Sequence, residues 1–196
     1  MTSKINADTT NGLVMTPDTS GEIELQAGGT KIATVKSTGI DIASGKDVLN
    51  LPKSSMPTGS VLQVVQTSLT SIAVSSTSLV EIGKATITPS STSSKILVMA
   101  HTYVHRNTGG ATGDYWSCKL LRGGVSGTTL ETLADAVLHQ TYGNGARQTL
   151  AAQYLDSPST TSATDYTLGA ARQAGSTSAQ FNHANIGQIT LMEIAG

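Results

Sequence analysis

Charge and aromatic surface are what this chain has least of. Among its 196 residues, 13 % are charged and 4 % aromatic, with a single Trp and a single Phe. An ordinary soluble domain carries about a quarter charged residues. Chains kept unfolded by their own charge are therefore a poor comparison. One cysteine, Cys118, excludes an intrachain disulfide. The formal net charge of −1 comes with no basic stripe, which argues against nucleic acid as a partner. No apolar run approaches the roughly 20 residues a membrane-spanning helix needs, so no membrane insertion is expected. The opening MTSKINADTT lacks the apolar centre of a secretory signal, and the expectation is a product assembled in a cytoplasm.

Ser, Thr, Gly and Ala fill the space left by charge and rings. Thr-rich, Gly-punctuated and moderately apolar sequence suits β-strands joined by many turns. Residues 1–20 are polar and without period, and read as an anchoring arm. In residues 21–43, Glu22 to Gln26 alternates with Ile23 and Leu25 on one face, Gly28-Gly29 turns, Lys31 to Lys36 forms a second strand, and Ile40 to Ile42 a third. So small a β-module is marginal alone, and copies of the same chain are its most economical partners. Residues 44–59 contain two prolines and read as a linker. In residues 60–196 strands are expected near 61–66, 71–75, 79–88, 95–105, 115–122, 130–140, 147–155, 164–172 and 187–195. Their roughly ten-residue spacing is that of an all-β sandwich or barrel. The segment 129–139 has helical propensity, but its strand neighbours favour strand.

Two features bear on packing. Lys95 to Ala100 is apolar on both faces, although an antiparallel sheet usually turns one face to water. A second layer is then needed, and a homotrimer axis supplies one. Trp116, alternating with Cys118 and Leu120, is expected in the core.

The search for chemistry is largely negative. The glycine pairs lack the strand–turn–helix context of a phosphate loop, and Ser126 is not spaced as a nucleophile elbow. His101 and His105, four apart on a strand, lie about 13 Å from each other by the ~3.3 Å rise, too far to share a metal ion within one chain. Asp156 and Asp165 are too few for calcium and read as turn residues. No catalytic residue, metal site or cofactor is assigned. A saccharide-cleaving enzyme needs carboxylates gathered in a groove, and here they are scattered. The loops offer contact chemistry instead: Tyr142, Asn144 and Arg147 around Gly143 and Gly145, with His105 and Arg106 as a second candidate set.

Three stretches resemble fibre and structural proteins of tailed phages, particularly marine ones. SGEIELQAGGTKIATV (20–35) resembles a module of trimeric β-stalks. PTGSVLQVVQ (57–66) resembles the segment opening the terminal domain. LDSPSTTSATDYTL (155–168) with ITLMEI (189–194) resembles the end of fibre-tip domains. The resemblance implies a short trimeric β-stalk followed by a jelly-roll-like head of the tumour-necrosis-factor and C1q kind. It also implies location in the virion, a link to other virion proteins through the arm, and contact with a host surface glycan or protein. The alternative it leaves open is a capsid decoration or head-fibre protein without receptor binding.

Overall fold

A computed structural model describes residues 21–46, 52–106, 114–137 and 147–196. The chain divides into two compact units, Met1–Leu51 and Pro52–Gly196. The arm expected at 1–20 lies outside the described residues.

The first unit contains a three-stranded antiparallel sheet, β1 (Ile23–Ala27), β2 (Thr30–Lys36) and β3 (Gly39–Ile42), in sequence order. The β1–β2 turn runs through Gly28 and Gly29 at positive φ, where a Cβ would be strained. Lys36 reaches both Glu22 and Asp41 across the sheet. Among its described residues only Ala33 and Thr34 are buried, while Leu25, Ile40 and Ile42 stand exposed, Ile40 at 64 %.

The second unit is a sandwich of two antiparallel sheets. Its strands are β4 (Val61–Ser68), β5 (Ile72–Val74), β6 (Val80–Ile87), β7 (Lys95–Arg106), β8 (Tyr115–Arg122), β9 (Thr128–Val137), β10 (Arg147–Asp156), β11 (Thr164–Ala174), β12 (Ala179–Phe181) and β13 (Gly187–Ile194). One sheet runs β4-β13-β7 with β10 on the far side of β7, and the short β12 pairs with β7 past the end of β13 and with β5 in turn. The other runs β6-β11-β8-β9. With β5 and β12 set aside, the eight long strands counted in chain order read 1-8-3-6 and 2-7-4-5. That is the connectivity of a jelly roll.

Strand alternation builds the core. On β7, Ile96, Val98, Ala100, Thr102 and Val104 point inward, while Leu97, Met99, His101, Tyr103 and His105 point outward. The inward residues meet Trp116, Cys118 and Leu120 of β8 and Tyr166, Leu168 and Ala170 of β11. Trp116 is fully buried, and its indole N–H donates to the Val74 carbonyl at 3.0 Å. Burial pushes the Cys118 thiol up to about 12, so it acts as a small apolar side chain. Residues 128–137 are strand, as their neighbours implied. The sequence reading missed β12, whose three residues are too short for any period to show.

The two ends of the sandwich differ in what joins there. Gly59 and Ser60 pair with Ala195 at one end, here the linker end. The opposite, far end carries the β7–β8 and β9–β10 connections.

Candidate functional site

At the far end β7 and β10 lie side by side with His105 opposite Arg147 and Tyr103 opposite Thr149. β12 pairs with β7 on the other side and puts Gln180 opposite His105. Between β12 and β13 the chain leaves the sheet over residues 182–186 before pairing with β7 again. Asn182 anchors this excursion from inside. Its amide donates to the Thr70 and Ile82 carbonyls at 3.1 and 2.6 Å, and its backbone N–H to the Thr102 hydroxyl. A Cβ on Gly187 would meet the Asn182 Oδ1 at 2.2 Å, so this close turn requires glycine. Asn182, Ala184 and Asn185 take left-handed backbone conformations, which for alanine costs about 1–2 kcal/mol.

The excursion sets the His183 ring on the sheet surface, 4.3 Å from the His105 ring and 6.1 Å from the Tyr103 ring, centre to centre. Both imidazoles are half-buried, and neither Nδ1 meets a hydrogen-bond partner among the described residues. Burial, then His183, then Arg147 hold the His105 pKa below the ordinary value for histidine.

Beneath this surface a buried carboxylate closes the far end. Asp114 accepts from the Ser176 N–H at 2.8 Å and from the Thr177 hydroxyl. The Arg106 guanidinium lies 3.6 Å from it. Burial pushes the Asp114 pKa up, but these donors and the cation outweigh burial and leave it below the ordinary range. Gly175, at φ +85°, would put a Cβ 1.3 Å from Asp114 Oδ1, so the carboxylate occupies the space any side chain would take.

The sequence-derived candidates therefore separate. His105 and Arg147 face outward and are brought together across two strands. Arg106 is a correction to the expected contact set: β7 continues one residue further than expected, alternation turns residue 106 inward, and the side chain is only 3 % exposed. It is a buried counter-charge, not a contact residue. Tyr142 and Asn144 lie outside the described residues. Tyr103 and His183 were missed as site residues. Tyr103 sits in an ordinary strand run, and nothing local marks that residues 182–186 fold back beside β7.

The rest of the outer face of this sheet is apolar toward the linker end. Val64, Met192, Leu97 and Leu155 form one row across β4, β13, β7 and β10. Val61 and Ile194 lie in the next row. Val64 is 55 % and Leu155 52 % exposed. Along the same face from Lys95 to His105, the positions of β4, β13, β7, β10 and β12 carry no Asp or Glu, while Lys95, Arg147, His101 and His105 stand there, with His183 beside them. Among the described residues no three His, Cys, Asp or Glu side chains gather as a metal site.

No family model matches the chain, and no curated protein does. Several solved structures are similar. One is infectious bursal disease virus of the Gx strain, with a TM-score of 0.46 and 15 % identity over 68 % of this chain and 33 % of that one. Another is the T13 particle of the same virus, at 0.46 and 11 % over 84 % and 40 %. A third is its VP2 subviral particle, at 0.44 and 14 % over 84 % and 42 %. This chain spans well under half the length of each of these neighbours.

Proposed function

We propose that the protein is a structural, non-enzymatic component of a phage virion: a homotrimeric fibre or spike that contacts the host surface through the far end of its β-sandwich head. The observation that carries this reading is that each of the two units leaves large apolar side chains uncovered. Leu25, Ile40 and Ile42 are exposed in the first, and Val61, Val64 and Leu155 in the second. Contiguous apolar surface of this kind marks association. Units on one chain that need the same remedy are both served when copies of that chain associate. Three copies fit the stalk and head resemblance, and the outer row on Leu97 gives the doubly apolar β7 its second layer. The arm at 1–20 would join the other virion proteins.

The chain enters the sandwich at its linker end, and in this reading the opposite end meets the host surface. Contact residues are expected on the far-end loops held by the rigid sandwich: Tyr142, Asn144 and Arg147, with His105 beside them. Threefold repetition then turns a weak single contact into avidity.

The test is adsorption of particles carrying Tyr142→Ala with Arg147→Ala. Reduced adsorption with normal incorporation and unchanged melting supports the reading. Unchanged adsorption with normal incorporation removes host contact from this end and favours a capsid decoration role.

A further inference from the structure

We infer that the far-end corner formed by Tyr103, His105, His183 and Arg147 binds an acidic sugar unit, with a carboxylate or phosphate on the guanidinium and the sugar against the rings. The inference deepens the contact role proposed above. It rests on that role for its setting, not for the binding itself.

Four observations carry it. Arg147 is exposed, meets no carboxylate among the described residues, and stands directly across from His105. Its planar donor fork matches the two oxygens of a carboxylate or phosphate. The outer face around it has cations and imidazoles but no acid, although the head has acids elsewhere. The buried acids, Asp114 at this end and Glu193 at the linker end, are turned inward and satisfied by other donors, and the exposed Asp135 near this end belongs to β9 of the other sheet. A surface of one sign favours an anionic ligand.

The His183 ring lies 4.3 Å from the His105 ring and 6.1 Å from the Tyr103 ring, and these rings give a sugar flat surfaces to lie on at little entropic cost. Gln180 and Thr149, directly opposite His105 and Tyr103, add groups for hydroxyls. Both Nδ1 atoms are buried and without a protein partner among the described residues, so a ligand would meet the ring faces and not these nitrogens. The guanidinium beside them disfavours a metal cation at the same spot. His183 reaches its place through a segment containing a left-handed alanine.

The experiment is titration of full-length protein with glucuronate, glucose 6-phosphate and glucose, followed by NMR or calorimetry. Wild type is compared with Arg147→Ala, Arg147→Lys, His183→Ala and Lys95→Ala. The expected result is at least tenfold tighter binding of both acidic sugars than of glucose. Arg147→Ala should lose that preference, Arg147→Lys should keep part of it, and His183→Ala should weaken binding several-fold. Lys95→Ala, on the same face near the linker end, should change nothing.

Equal binding of all three sugars, binding of none, or an equal loss in Lys95→Ala overturns the inference. If glucuronate alone shows the preference, the anion is a carboxylate; if glucose 6-phosphate alone does, it is a phosphate. Sugar discrimination with unaffected adsorption of Arg147→Ala particles overturns the contact role and leaves the site standing. Lost adsorption without sugar discrimination does the reverse.

Discussion

The two ends of the head are closed by the same device and yet present different surfaces. At the linker end the buried Glu193 accepts from the Ser90 N–H and hydroxyl, the Ser94 hydroxyl and the Gln63 amide, tying the 88–94 turn to the last strand. At the far end the buried Asp114 does the equivalent for the turn at 175–177. Each looks like a functional site by burial and perturbed acidity, yet each spends its acceptor oxygens on the backbone and hydroxyls of its own fold. The difference lies on the outer surface above them, apolar at one end and cationic with rings at the other. Buried carboxylates here report how the sandwich is closed. The outer face reports what it meets.

The contrast between the two closures can be sharpened by truncating each. Asp114→Ala removes the carboxylate 3.6 Å from the buried Arg106 guanidinium, and should cost about 3–5 kcal/mol in denaturant unfolding. Glu193→Ala leaves only neutral donors behind and should cost less, about 1–3 kcal/mol. A larger loss at Glu193 would mean that Arg106 is not the group that makes the far-end closure sensitive.

Acid should undo both closures. Burial raises the Glu193 pKa, but the Ser90, Ser94 and Gln63 hydrogen bonds outweigh it and hold the group below the ordinary glutamate value of 4.5. Asp114 likewise sits below 3.8. A carboxyl with a depressed folded pKa contributes stability that is present above its unfolded value and lost as pH falls through the folded one. Melting temperature should therefore fall from about pH 4.5 downward. His105 is also depressed, from 6.5. The folded head resists taking up that proton, so stability should already decline somewhat as pH drops below about 6.5. His105→Gln should remove this shallow decline and leave the steep acid loss, which a pH series of thermal melts would check.

The smallest effect is expected where function is proposed. Arg147→Ala removes an exposed side chain with no partner among the described residues and should change stability by no more than about 0.5 kcal/mol. A loss of 2 kcal/mol would make Arg147 part of the fold and blur the difference between surface and closure.

How much of this was legible in the sequence follows from the range of each signal. Alternation and turns are local, so β4 to β11 and β13 could be placed within a few residues, and Trp116 could be assigned to the core. The order of the sheets rests on pairings such as β13 between β4 and β7, 85 or more residues apart in sequence, and no local pattern encodes them. At the site, Arg147 and His105 were named from residue type alone. That they face each other depends on the β7–β10 register. Arg106 was misjudged because one extra residue of strand reverses the face a side chain takes. His183 was read as a plain histidine because only the excursion at 182–186, folded back beside β7, carries it to His105.

The uncovered apolar row is proposed as an interface between copies of this chain. Sedimentation velocity on the full-length protein at micromolar concentration, beside Leu97→Asp, tests that directly. Three chains per particle in the wild type, with Leu97→Asp shifted to folded monomers that still bind acidic sugar weakly, is the expected result. A stable, folded wild-type monomer at that concentration would contradict it.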